Sequence, residues 1–129
     1  MHGIKNAQAE VERITGINAA KCMRCGKCSA SCPAFASMDV HPHKVVSMVA
    51  DNDYEGLVNC DTLWRCLSCF ACVERCPRDV KPANIIEAVR LLQIREAGEN
   101  HMPPDDIPEM LDEELPQQAI VAAMRKYNK

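Results

Sequence analysis

Apolar positions fall at helical spacing along most of the chain. Ile4, Ala7, Val11 and Ile14 stand at i, i+3, i+7 and i+10, one face of a helix closed by Thr15-Gly16. Asn18 is placed to cap a short turn leading into Cys22, and Asp53 to Val58 reads as a brief helix. Asp61 is placed to cap the turn that carries Trp64 into Cys66. A longer helix starts at Pro82 and runs to Ala97, with Gly98 as its stop. No stretch alternates like a half-buried strand. The pattern predicts an all-α fold.

The pattern also repeats. Asp39-Val40-His41-Pro42 and Asp79-Val80-Lys81-Pro82 each open a stretch reading D-V-x-P-x-x-(apolar)-(apolar)-x-x-V, offset by 40 residues. Proline suits a first helical position, because its missing N–H would lack a partner there anyway. The repeating unit is therefore a turn, a loop and a proline-started helix. The loop from Ala34 to Met38 in the first copy is longer than the single Arg78 of the second.

Each unit opens with cysteines. Cys22, Cys25, Cys28 and Cys32 form one run, Cys66, Cys69, Cys72 and Cys76 the other, offset by 44 residues. Both read C-x2-C-x2-C-x3-C-P, the ligand run of bacterial-type 4Fe–4S proteins. Two-residue gaps let one tight stretch of backbone supply three corners of an iron–sulfur cube, and Pro33 or Pro77 turns the chain away after the fourth thiol. In two-cluster proteins the fourth cysteine serves the other cluster. One 4Fe–4S cluster is therefore expected on Cys22, Cys25, Cys28 and Cys76, the second on Cys66, Cys69, Cys72 and Cys32. Structural zinc does not ask for four cysteines so close together followed by proline, and a 3Fe–4S variant would need a ligand missing. Cys60, the ninth cysteine, reads as a small apolar residue at a helix end.

Composition changes the picture in two places. Over 129 residues the hydrophobic fraction is 47% but aromatics are only 4%, so a core of small aliphatic side chains needs further support, which bound clusters would supply. The net charge of −3 argues against a nucleic-acid binder. No apolar run approaches the roughly 20 residues of a membrane span. Met1 to Glu10 lacks the apolar core of a signal peptide, so a cytoplasmic protein with reduced, metal-binding thiols is expected.

Residues 99–129 differ from the rest, with seven acidic residues against three basic ones and four of the eight prolines. The domains expected are a helical two-cluster body over 1–98 and an acidic, proline-rich tail over 99–129. Ile120, Val121, Met124 and Tyr127 fall on one face of a last short helix within that tail. It either frays, folds back on its own domain, or docks along a partner.

The stretch from Asp61 to Ile86 resembles the C subunits of heterodisulfide reductases. Members of that family carry W-x-C-x-x-C-x-x-C-x-E-R-C-P, matched by Trp64, Cys66, Cys69, Cys72, Glu74, Arg75, Cys76 and Pro77, then V-x-P-x-x-I-I, matched by Val80, Pro82, Ile85 and Ile86. The first run, with Gly26 after Cys25, fits the family's C-x-x-C-G-x-C-x-x-x-C-P. The likeness covers about residues 17 to 95 and departs at Pro42-His43, where the family often has Pro-Arg. It implies an α-helical ferredoxin of two cluster-binding turn-helix repeats. It also implies an electron-transfer subunit of a soluble heterodisulfide-reductase-type complex. Such a protein relays electrons from a flavin and iron–sulfur subunit to a catalytic subunit with C-C-G motifs. Similar modules occur in glycolate oxidase, anaerobic glycerol-3-phosphate dehydrogenase and succinate dehydrogenase iron–sulfur subunits. The last of these carries a plant-type ferredoxin domain in front, whereas 21 residues precede Cys22 here.

No catalytic site is expected in the chain itself. It has no C-C-G motif, no G-x-G-x-x-G loop and no nucleophile–base set, and His2, His41, His43 and His101 are its only histidines. Met23, Trp64, Leu67 and Phe70 are expected to shield the cluster sulfurs from water. The alternatives are a free-standing two-cluster ferredoxin shuttle and a structural or regulatory cluster protein.

Overall fold

The computed structural model describes residues 6–94, 114 and 116–125, and the chain divides into two units between Ile94 and Arg95. The first unit holds seven α-helices among its described residues: α1 (Ala7–Thr15), α2 (Lys27–Ala30), α3 (Pro42–Ala50), α4 (Tyr54–Val58), α5 (Thr62–Arg65), α6 (Ala71–Arg75) and α7 (Pro82–Ile94). Single 3₁₀ turns cover Ala19–Lys21 and Phe35–Ser37. No strand occurs among the described residues, so the fold is all-α. In the second unit, α8 spans Gln117–Arg125, with Val121 exposed on it. Ile4, the end of the long helix at Ala97-Gly98, His2, His101 and Tyr127 lie outside the described residues.

Local chemistry sets most of the boundaries. The Asn6 side chain accepts from the Ala9 amide at 3.0 Å to start α1. Gly16, at φ 71°, ends it by donating to the Glu12 carbonyl at 2.7 Å. Asn18 caps its turn through the Ala20 amide (2.9 Å), and Asp53 caps α4 through the Gly56 amide (3.0 Å). α3 and α7 both start on a buried proline. The stripe on α1 is shorter than its spacing predicts: Ala7 and Val11 are buried, but Ile14 is exposed. The chain reverses at Gly16, and Ile17 rather than Ile14 packs against the core.

α1, α3 and α7 pack on one another around Val11, Val45, Val49, Ile85 and Val89, joined by Leu57 of α4 and Leu63 of α5. This core contains no fully buried aromatic side chain among the described residues. Cys60 belongs to it, 5% exposed, with its thiol donating to the Leu57 carbonyl at 3.0 Å; burial raises its pKa above the ordinary thiol value. It behaves as a small core residue. Opposite this core, α2 packs against α6, and these two short helices follow the first cysteines of each run.

The start of α5 corrects one expectation. The Asp61 side chain makes no cap bond; Asp39, distant in sequence, does this instead. Its carboxylate accepts from the Asp61 amide (2.9 Å), the Thr62 amide (2.9 Å) and the Thr62 hydroxyl (2.6 Å). The Val40 amide donates to it as well (2.9 Å), and a carboxylate serving four donors is stabilised in its charged form. The Thr62 hydroxyl foremost holds the Asp39 pKa down from 3.8 to about 2. Because the folded pKa is depressed, the stabilisation is complete above 3.8 and is lost as pH falls through about 2. Asp39→Ala is expected to lower stability by about 1 kcal/mol at neutral pH, the usual cost of a lost helix cap. In denaturant titrations its deficit against the parent should shrink across that acid window. A deficit that stays constant with pH would contradict the assignment.

Candidate iron–sulfur site

None of the nine cysteines is paired in a disulfide, and eight of them ring two cavities. Cavity 1 is lined by Cys22, Cys25, Cys28 and Cys76. Cavity 2 is lined by Cys32, Cys66, Cys69 and Cys72. Three consecutive cysteines of one run and the last cysteine of the other thus meet around each space. The first turns of α3 and α7 form walls of both: Pro42 and Ala83 face cavity 2, while their chain neighbours His43 and Pro82 face cavity 1. Between the cavities Cys28 and Cys72 pack in one small cluster with Ala83.

The ligand turns share one backbone shape. Arg24 and Ser68, at equivalent places in the two runs, lie at φ 56° and 52°. Gly26 and Phe70, also equivalent, lie at φ 77° and 61°. Only glycine adopts this left-handed region without steric cost, so the second run holds a bulky aromatic where the first has the residue best suited to it. Such a turn directs backbone amides inward: the Arg24 amide donates to Cys22 Sγ and the Val80 amide to Cys76 Sγ, both at 3.4 Å.

A group held from outside each run completes the support. The Arg90 guanidinium, on α7, donates to the carbonyls of Leu63 and Cys66, the latter at 2.7 Å, and so fixes the turn leaving α5. Ser29 Oγ lies 2.6 Å from His43 Nδ1 and accepts from the His43 amide at 3.1 Å, tying α2 to α3 beside cavity 1. His41 stacks on Phe35, ring centroids 3.9 Å apart. Both described histidines therefore have packing roles. The spacing of Arg90 from Leu63 and Cys66 carries no local signal, so sequence reasoning missed it.

Shielding by apolar residues is partly as expected. Met23 lines cavity 1, and Leu67 and Phe70 line cavity 2, all three with substantial solvent exposure. Trp64 lines neither cavity and is exposed. Its neighbour Leu63 points fully into the core, and one residue along a helix turns the side chain by about 100°.

The donor set suits an iron–sulfur cluster. The thiols surround a space rather than meeting at a point, and among the described residues no three His, Cys, Asp or Glu groups come together closely enough for a single metal ion. Burial pushes the Cys72 thiol up to about 11, with the like charges of Cys66, Cys28 and Cys69 adding to it, and it raises Cys28 as well. Thiolates in so dry a place need a cationic partner, and cluster iron is one.

Comparison with known proteins points the same way. Residues 18–80 match the family of 4Fe-4S dicluster domains. The C subunit of a ferredoxin:CoB-CoM heterodisulfide reductase from Methanosarcina acetivorans is 32% identical over 92 residues, 71% of this chain and 37% of the relative. The C2 subunit of an H(2)/formate:CoB-CoM heterodisulfide,ferredoxin reductase from Methanococcus maripaludis is 38% identical over 71 residues, 55% of this chain and 38% of the relative. The chain is thus similar to the C subunits of heterodisulfide reductases. A more distant relative, the C subunit of the H(2):CoB-CoM heterodisulfide,ferredoxin reductase of Methanothermobacter marburgensis, is 28% identical over 100 residues, 78% of this chain and 52% of the relative. The cofactors of this chain are two 4Fe–4S clusters. The matched part spans roughly a third to a half of these relatives' lengths. No helix among the described residues is long and apolar enough to cross a membrane.

Proposed function

We propose that this chain is a C-type electron relay whose eight clustered cysteines ligate two 4Fe–4S clusters crosswise. One is held by Cys22, Cys25, Cys28 and Cys76, the other by Cys66, Cys69, Cys72 and Cys32. The observation that carries this reading is the meeting of three thiols from one run with the last thiol of the other around each of two adjacent cavities. When bound, each cluster supplies one-electron redox chemistry. The residues around it do the rest. The first turns of α3 and α7 hold the cavities side by side, the packed Cys28, Cys72 and Ala83 shorten the path between them, and Met23, Leu67 and Phe70 limit access of water.

On this reading the chain passes electrons one at a time between a flavin and iron–sulfur subunit and a cysteine-rich C-C-G subunit of a cytoplasmic heterodisulfide-reductase-type complex. Support comes from the relatives described above, each a C subunit of a CoB-CoM heterodisulfide reductase. The acidic segment 99–129 is the part we assign to partner docking rather than to the cluster body. Anaerobic affinity isolation of the tagged chain from its native cell tests the assembly. Recovery with a flavoprotein and a C-C-G subunit is the expected result. Recovery alone, as a brown monomer, would make it a mobile ferredoxin instead.

A further inference from the structure

The two cavities are built on one plan but furnished differently. Two cationic residues, Lys27 and Arg78, stand at the wall of cavity 1, whereas no charged residue lines cavity 2. The two amide–sulfur hydrogen bonds at 3.4 Å both end on cavity 1 thiols, Cys22 and Cys76. Gly26 leaves one edge of cavity 1 bare, while Phe70 places an aromatic ring at the equivalent edge of cavity 2. The ring is held at φ 61°, a conformation that a bulky side chain adopts at a cost.

Reduction adds one negative charge to a group that four thiolates already make anionic. Nearby cations, amide donors to sulfur and contact with water all favour the added charge, and a dry apolar lining opposes it. All of these differences act in the same direction. We propose that the relay is polarised: the cluster in cavity 1 has the higher reduction potential, and an electron entering at cavity 2 settles in cavity 1. One electron moves, the cavity 2 cluster is oxidised as the cavity 1 cluster is reduced, and no atom is transferred. The inference rests on the crossed ligation proposed above.

The test is a redox titration, followed by electron paramagnetic resonance, of the full chain loaded anaerobically with iron and sulfide. Two separate midpoints are expected. Lys27→Gln combined with Arg78→Gln should lower the higher midpoint and leave the lower one in place. Phe70→Gly should raise the lower midpoint and leave the higher one, and it should hasten loss of the cavity 2 cluster in air. Because both cations are exposed, the gap should narrow at high salt, where screening acts over only about 3 Å. Coincident midpoints in a chain carrying two full clusters would overturn the polarity alone, as would a charge variant that moves the lower midpoint. Iron short of two full clusters in the unsubstituted chain would overturn the ligation, and the polarity with it.

Discussion

Cys32→Ser is expected to remove the cluster of the second run, not of its own. Serine's hydroxyl does not ionise near neutral pH as a thiol bound to iron does, so the substituted corner is a poor ligand. Cys32 lines the cavity that holds Cys66, Cys69 and Cys72. The variant should therefore lose about half of its iron, the share of one of two equal clusters. Its remaining signal should match that of Cys69→Ser. The reciprocal change, Cys76→Ser, should match Cys25→Ser, because Cys76 lines the other cavity. Comparing the four spectra makes the test internal, since each fourth-position variant is judged against a variant of known run. A Cys32→Ser spectrum that matches Cys25→Ser would mean that each run closes its own cluster.

Leu63→Ala should be the most damaging change away from the thiols. Leu63 is fully buried in the main core and sits on α5, a four-residue helix that leads directly into Cys66. Deleting a buried leucine side chain costs about 2–5 kcal/mol, through lost transfer free energy and the cavity left behind. A single domain has about 5–15 kcal/mol in all, so the loss is a large part of the total. The core cluster is aliphatic, with Leu57, Leu92 and Met48 beside its valines and isoleucines, and each of these already fills a place of its own. The damage should also reach cavity 2, because Arg90 holds the Leu63 and Cys66 carbonyls in place. Chemical denaturation under anaerobic conditions should show the stability loss. Iron release should show the cavity 2 cluster leaving first. A variant as stable as the parent would remove Leu63 from the elements that position the site.

The two changes probe different layers of the protein. The grouping of the cysteines was legible because their spacing is a local property: three thiols within seven residues can meet around one group whatever the rest of the chain does. The proline starts of α3 and α7, the Asn18 cap and the Gly16 stop were legible for the same reason. Each depends on backbone groups within a few residues. The repeated unit of turn, loop and proline-started helix was legible too, because it is written twice along the chain.

Where sequence and structure part, the missing partner is distant along the chain. Asp61 stands where a cap should be, but Asp39 reaches the same amides first and satisfies them. Nothing in the stretch around Trp64 says that the preceding leucine, rather than the tryptophan, turns inward. Arg90 lies on α7 beside other polar residues such as Glu87 and Gln93, with nothing local to single it out, and its role emerges only when α5 packs against α7.

Neighbours along the chain were enough to set the all-α character, the two ligand runs, their proline-started helices and the small aliphatic core. Which side chains furnish each cavity was settled only by packing. Lys27 and Arg78 belong to different runs, yet the crossing of Cys76 brings both to cavity 1 and leaves cavity 2 without a charge. The physical reason is range. Backbone spacing and capping act over a few residues, whereas the electrostatic surroundings of a thiol depend on whichever segments packing brings beside it.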